Sequence, residues 1–318
     1  MESTLPTLSV VLPACNEADN VRPLTEALRE VLDGLETPWE VIWVNDGSAD
    51  GTAEAIDALA AADPRVRALH FSRNFGHMAA LCAGLEAARA TGAVVTMDAD
   101  GQHPPALIPD LVSRWKAGAD IVQTLREPSS QEGFLKRQSS AGFYRVLGWL
   151  ADIDLPAGAA DFRLMDRQAV DALNSLPERV RFVRGLVHWV GFTCECVSYA
   201  SAPRQHGETK YSFFKMMAFA LSGLTSFSVR PLRLSFLMAL IVIALAACYS
   251  AFVLWAWWAG LALTPGWASI ILVMMLLGGA QLFAIGIASE YLARSYMEQK
   301  QRPIYILRKP RPRETDSP

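Results

Sequence analysis

An α/β domain built on a mostly parallel sheet, followed by two membrane-spanning helices, is the fold class this sequence predicts. Three observations predict it. Short apolar runs alternate with amphipathic stretches over the first two-thirds of the 318 residues. Polar clusters follow the apolar runs, where a parallel sheet presents its ligand-binding edge. From Leu234 to Ser289 there is no Asp, Glu, Lys, Arg or His, a run of about 56 residues against the ~20 that one spanning helix needs.

The strands are expected at Leu8–Leu12, Glu40–Val44, Val66–Phe71, Ala93–Met97 and Asp120–Thr124, each short and rich in Val, Leu and Ile. Helical patterns lie between them near Val21–Leu35, Thr52–Ala62, His77–Thr91 and Pro105–Ala117. Buried apolar strands separated by helices imply a parallel sheet covered on both faces. Farther on, a helix is expected near Gly133–Ala151 and a strand near Phe192–Ala200. Residues 207–228 mix Lys210 and Lys215 with Tyr211, Phe213, Phe214, Met217 and Phe219, the pattern of a helix lying at headgroup level.

A single helix through the uncharged run would be about 84 Å long, far more than a bilayer. Thr264-Pro265-Gly266 supplies a turn, so the run divides into two spans. A buried core hairpin would need a larger soluble part to wrap it. Arg230 and Arg233 precede the first span; Arg294, Lys300 and Arg302 follow the second; the turn has no basic residue. The positive-inside rule then places the soluble domain and both termini in the cytoplasm. Trp255, Trp257, Trp258 and Trp267 sit around the turn as an aromatic belt would. The resulting division is 1–206 for the α/β domain, 207–230 for the interfacial helix, 231–293 for the hairpin and 294–318 for a basic cytoplasmic tail. Leu8 to Leu12 is too short to be the core of a signal peptide.

Composition narrows the partners. A net charge of −3 excludes a broadly nucleic-acid-like surface. The five cysteines form no disulfide framework, and Cys194-x-Cys196 lacks the second pair that a zinc site needs. On a strand those two share one face, most simply as small buried hydrophobes. Neither a dinucleotide-binding nor a P-loop glycine pattern is present.

The chemistry is expected after the strands. Asp98 and Asp100 stand two residues apart at the end of the fourth apolar run. If strand geometry persists, both carboxylates face one way, repel one another and need a cation. Oxygen ligands select Mg²⁺ or Mn²⁺, which also take phosphate oxygens. Asp46, in Asn45-Asp46-Gly47-Ser48, can bond a ribose or base; it can equally be a turn residue.

Four segments then resemble glycosyltransferase family 2, whose fold is the Rossmann-like GT-A. They are Ser9–Glu17, Val44–Ser48, Ser72–His77 and Met97–Pro105. Within that family the similarity is narrower, to polyprenyl-phosphate glycosyltransferases such as bacterial undecaprenyl-phosphate glucosyltransferases and dolichol-phosphate mannose synthase. Arg204–Ser212 and Ser289–Leu292 extend it over nearly the whole chain.

The resemblance implies roles by position. Pro13, Asn16 and Glu17 would line the nucleotide pocket, with Asp46 near the base. Asp98 would touch the nucleotide and share the metal with Asp100 and Gln102. Arg126 and Arg137 would clamp the acceptor phosphate, since a planar guanidinium can bond phosphate bidentately. Arg204, Lys210 and Tyr211 would sit where the site meets the membrane. Asp161 would stand at the sugar, as base or as positioning group; a helix-capping role is the local alternative. His77 and His103 read as structural, or as supports of the groups that touch substrate, rather than as catalytic. Gly101 departs from the leucine expected in relatives, which would loosen the turn. The implied reaction is inverting transfer from a UDP-sugar, glucose first, to undecaprenyl phosphate at the bacterial inner membrane, by a homo-oligomer, a tetramer on resemblance. UDP-N-acetylglucosamine, GDP-mannose and a UDP-aminoarabinose derivative are alternative donors, and a membrane-tethered nucleotidyltransferase is an alternative enzyme.

Overall fold

The computed structural model describes residues 5–127, 156, 158–200, 230–259 and 266–308. Strand and helix alternate from the start: β1 (Leu8–Ala14), α1 (Ala18–Asp33), β2 (Trp39–Asn45), α2 (Thr52–Ala62), β3 (Val66–His70), α3 (His77–Ala87) and β4 (Ala93–Thr96). A 3₁₀ turn at Pro105–Leu107 leads into α4 (Ile108–Lys116), then β5 (Ile121–Arg126). After residues outside the described set come β6 (Ala159–Asp166), α5 (Arg167–Ser175), α6 (Val183–Trp189) and β7 (Cys194–Tyr199). The helices expected near Gly133–Ala151 and over 207–230 lie outside the described residues.

The seven strands form one sheet in the order β3-β2-β1-β4-β6-β5-β7. β1 pairs in parallel with β2 and β4, β2 with β3, and β5 with β7. β6 alone is reversed, antiparallel to β4 on one side and β5 on the other. The expected mostly parallel sheet is therefore present, with one strand unforeseen. β6 reads Ala-Ala-Asp-Phe-Arg-Leu-Met-Asp, and its two inner charges break the apolar run that marks a buried strand.

Central strands are buried on both faces, as a helix-covered parallel sheet requires. Val10 and Leu12 share a core with Leu24 and Leu28 of α1 and Leu111 of α4. Val11, between them, points to the other face, where α3 lies. Gly84 makes that approach possible: a Cβ there would stand 2.1 Å from Val11 Cγ1. Because α3 begins at His77, this contact also fixes where His77 stands. Cys194 and Cys196 do share a face of β7, but both are exposed. β7 is the last strand of the sheet among the described residues.

A second unit contains α7 (Arg230–Trp258) and α8 (Trp267–Gln299), packed against each other. Within them Ser235–Ala256 and Val273–Gln299 are long and apolar enough to cross a membrane. Their large apolar side chains, Phe236, Leu245, Trp258 and Leu282 among them, are exposed. α8 runs beyond the expected end of the hairpin at 293, and its last turns carry Glu290, Arg294 and Glu298. Residues 302–308 belong to the unit of the sheet.

Gly84→Ala should overpack α3 against β1 and cost about 1–3 kcal/mol. The full chain in detergent should melt several degrees lower, and Val11→Ala in the same chain should recover part of the loss. A Gly84→Ala protein that melts with the wild type would mean that α3 does not lie this close to β1.

Candidate active site

β1, β2, β3 and β4 run in one direction, so the chain leaves each of them at one edge of the sheet. The loops there are bonded to one another. Pro13 and Ala14 are the last residues of β1, paired with Val44 and Asn45. Asn16, in the left-handed region at φ 59°, accepts a bond from Ala49 N (2.9 Å), and its own N–H donates to Ser48 Oγ (3.0 Å). Glu17 N–H donates to Thr52 Oγ1 (2.9 Å), and Glu17 Oε2 accepts from Asn20 Nδ2 (2.6 Å).

Asp46 ties in the third loop. Its two oxygens accept from Phe75 N (2.6 Å) and Gly76 N (2.9 Å). Burial pushes the carboxyl pKa up, and these two bonds oppose that rise without cancelling it. Gly47 follows at φ 63°, and a Cβ there would stand 2.4 Å from Arg73 C, so only glycine lets the second and third loops meet. The structure thus gives Asp46 a loop-closing task, whatever else it bonds.

The strand ends before the acidic turn. β4 stops at Thr96, Asp98 follows in irregular backbone, and Ala99 and Asp100 lie in a bend. The pleat therefore does not set how the two carboxylates face, contrary to the expectation of persisting strand geometry. Asp98 N donates to His103 Nδ1 (2.9 Å), whose ring stacks on Phe162 at 5.2 Å. A ring nitrogen that accepts an N–H bond carries no proton, so His103 is assigned as the neutral Nε2–H tautomer. Burial agrees, holding its pKa below the ordinary histidine value despite nearby Asp98 and Asp100. Asp100 Oδ1 accepts from Gln102 N (3.1 Å), and Gly101 between them takes φ 74°. Gly101 thus holds a left-handed turn, with open space beside it, and a leucine there would be strained.

The reversed strand brings in Asp161. Thr96 of β4 lies opposite Arg163 of β6. Because the strands run oppositely, two residues onward on one and two residues back on the other reach the same edge, which are Asp98 and Asp161. His77 Nε2 stands between them, 3.4 Å from Asp98 Oδ1 and 3.5 Å from Asp161 Oδ2. Asp161 is 3% exposed and fully engaged. Oδ1 accepts from Arg163 Nη2 (2.8 Å) and Arg184 Nε (2.9 Å), and Oδ2 from Arg184 Nη2 (2.7 Å). Burial alone would raise its pKa; His77 and the two guanidinium groups outweigh it and hold the carboxyl well below the usual carboxylate range. Asp161 does not cap the following helix. Asp166 does that, accepting from Gln168 N (2.9 Å).

Oxygen donors for a divalent cation are present at the turn. Asp98 Oδ1 is buried and accepts no hydrogen bond, so it is an oxygen that a cation would fit. Asp98, Asp100 and Gln102 offer the hard oxygens that Mg²⁺ or Mn²⁺ prefers. His77, Asp98 and Asp161 also place ligand atoms within 4.8 Å of one another. Asp161 is the poorer ligand of the three, because an ion there would face two guanidinium groups.

Of the expected site residues, Pro13, Asn16, Glu17, Asp46, Asp98, Asp100, Gln102 and Asp161 all belong to this edge, as does Arg126. Arg126 closes β5 and donates to Gln102 Oε1 (3.3 Å). Arg137, Arg204, Lys210 and Tyr211 lie outside the described residues. Arg163 and Arg184 were not foreseen, and His77 and His103 were read as structural. Arg163 had a signal: two residues after Asp161, it shares a strand face with it. Arg184 had none, since it reaches Asp161 only through the tertiary placement of α6.

The chain is similar to several known proteins. Residues 9–173 match the profile described as Glycosyl transferase family 2. The chain is 40% identical to the glycosyltransferase YkcC of Bacillus subtilis (strain 168), over 95% of this chain and 93% of that one. It is 37% identical to a prophage bactoprenol glucosyl transferase homolog of Escherichia coli (strain K12), over 95% and 98%. It is also 37% identical to the bactoprenol glucosyl transferase of Shigella phage SfII, over 95% and 97%. Among solved structures it is similar to mannosyl-3-phosphoglycerate synthase from Rubrobacter xylanophilus, at 17% identity and a TM-score of 0.45 over 68% and 71%. The chain belongs to glycosyltransferase family 2: it is a glycosyltransferase with a GT-A sheet ahead of two apolar helices.

Proposed function

We propose that this enzyme transfers glucose from UDP-glucose to a polyprenyl phosphate, undecaprenyl phosphate in a bacterium, with inversion at the anomeric carbon. The observation that carries this is the similarity to bactoprenol glucosyl transferases over 95% of the chain, sheet and apolar helices alike. The same helices make the chain membrane-associated. Basic flanks at Arg230, Arg233, Arg294 and Lys300 favour two spans with the sheet on the cytoplasmic side. The resemblance extends the proposal to a homo-oligomer of four chains.

The bonded loops of β1 and β2, with Pro13, Asn16, Glu17 and Asp46, form the nucleotide side of the site. Asp98, Asp100 and Gln102 hold the divalent cation. That ion, when bound, would act as a Lewis acid that neutralises the diphosphate leaving group. Arg126, beside Gln102, meets the acceptor phosphate together with Arg137; Arg204, Lys210 and Tyr211 carry the site to the headgroups.

Asp161 positions; it does not take a proton. Each of its oxygens already accepts a charged bond, and its pKa is held low, so it is a weak base. No strong base is required, because a phosphate monoester has a second pKa near 6 and is largely ionised at neutral pH. In this mechanism the acceptor oxygen attacks the anomeric carbon while the bond to the nucleoside diphosphate breaks.

Two measurements test this. A nucleotide-sugar panel (UDP-glucose, UDP-N-acetylglucosamine, GDP-mannose, a UDP-aminoarabinose derivative) is offered with undecaprenyl phosphate. UDP-glucose should give UDP and a lipid-linked hexose, and excess EDTA should stop it. Release of pyrophosphate, or turnover that survives EDTA, would sink the reaction or its metal respectively.

Asp161→Asn should lower turnover roughly 100-fold through misplacement. It should also cost about 3–5 kcal/mol of stability, since the buried Arg163 loses its counter-charge. The sign of the pH effect follows from the depressed pKa. Asp161 contributes stability above the ordinary carboxylate pKa and loses it only as pH falls through the lowered value. Across pH 6–9 the wild-type profile should carry no limb from Asp161, and raising the pH should rescue nothing in the variant. A loss confined to kcat, with a pH profile whose acidic limb is shifted, would make Asp161 a base.

A further inference from the structure

Residues 302–308, which belong to the unit of the sheet, run along its outer edge. Leu307 forms an antiparallel bridge with Phe71, next to the end of β3. Ser72 N donates to Ile306 O (2.9 Å) and Arg308 N to His70 O (2.7 Å). This covers part of a strand edge that is otherwise unpaired among the described residues. The side chain that fixes the segment is Tyr305. Its ring stacks on Phe71, with centroids 5.0 Å apart and planes 10° from parallel. Its hydroxyl donates to Glu86 Oε2 of α3 (2.6 Å).

Phe71 is 3% exposed and does not end the chain of contacts. Its ring meets Phe75 edge-on at 5.7 Å. Arg73 lies over the other partner, with its guanidinium carbon 4.0 Å from the Phe75 ring centre. Phe75 and Gly76 donate the two amide bonds that engage Asp46. A continuous set of contacts thus runs from Tyr305 through Phe71 and Phe75 to Asp46. Nothing in the transfer chemistry uses Tyr305 or Phe71.

Resting on the donor site assigned above, we propose that Tyr305 is a positioning residue for the donor. The C-terminal segment after the apolar helices sets the 72–76 loop, and through it Asp46, in the geometry that binds the nucleotide. The order of the nucleotide pocket then depends on a segment covalently continuous with the membrane hairpin. Removing the Tyr305 ring frees one aromatic pair, worth up to about a tenfold change in an equilibrium. Tyr305→Phe keeps the stack and loses only the bond to Glu86.

The full chain in detergent tests this with Tyr305→Ala and Tyr305→Phe. Hydrogen exchange without any ligand reads the loop directly. The amides of Phe75 and Gly76 should exchange faster in Tyr305→Ala and near the wild-type rate in Tyr305→Phe. Steady-state kinetics reads the consequence: KM for UDP-glucose should rise about 3- to 10-fold in Tyr305→Ala, with kcat and the acceptor KM little changed. Unchanged exchange at Phe75 and Gly76 would overturn the proposal whatever the donor turns out to be. So would a lower melting temperature with donor KM unaltered, which is a purely structural role. If exchange accelerates as expected but the wild type binds neither UDP nor UDP-glucose, the coupling stands and the donor assignment falls.

Discussion

A buried carboxylate that must stay charged organises this site. Asp161 sits in the reversed strand at 3% exposure, and an isolated carboxylate there would give up its charge. It keeps the charge because Arg163 and Arg184 reach it with three bonds of 2.7–2.9 Å. Those bonds set requirements on distant parts of the chain. Arg163 must lie in the sheet with almost no exposure, so β6 must be flanked on both sides, by β4 and β5. Arg184 must project from α6, which places that helix near the edge. His77, at the start of α3, completes the surround, and Gly84 lets α3 come close enough to do so. With Asp98 included, two carboxylates face two guanidinium groups, so the cluster is balanced before His77 is counted.

The remaining polar groups divide by what they have left to offer. Asn16, Ser48, Asp50 and Thr52 spend their side chains on the backbone of neighbouring loops. Asp46 does the same for the loop after β3. Such bonds hold a pocket open in one shape before a ligand arrives, which lowers the ordering cost of binding. Asp98 is different: one of its oxygens is buried without a hydrogen bond, while His103 accepts its backbone N–H and stacks on Phe162 behind it. The neutral ring supports the turn without adding a positive charge to a place that an ion would need.

How much of this was legible depends on whether the cause was local. The parallel strands and their helices were readable, since each is a short apolar run with a periodic partner. So was the edge that carries the polar loops, because Asn16, Asp46 and Asp98 each follow a strand in sequence. β6 was not, because its function puts Asp161 and Arg163 inside a strand that otherwise reads as core. Arg184 was invisible for a different reason: its partner is 23 residues away and only the packing of α6 brings them together. The end of β4 at Thr96 was also missed by a residue, and that residue removed the pleat argument for Asp98 and Asp100. Periodicity reports burial, and here the decisive side chains are the charged ones that burial ordinarily excludes.

If the acceptor is the polyprenyl phosphate proposed above, its tail stays in the bilayer, and that changes what the protein has to recognise. Confined beside an anchored enzyme, it is met at a high effective concentration, so affinity for the lipid need not come from the sheet. Binding energy at the edge can then serve the leaving group and the sugar, where it acts on the transition state. On the proposed reaction, recognition of the acceptor would reduce to its phosphate, already ionised, and a guanidinium beside the acidic turn would suffice to receive it. Arg126 stands there, bonded to Gln102 Oε1 at 3.3 Å. The low pKa of Asp161 fits the same scheme. On that proposal a site that receives its nucleophile deprotonated would need no base, and could hold a buried carboxylate as a fixed anion among arginines.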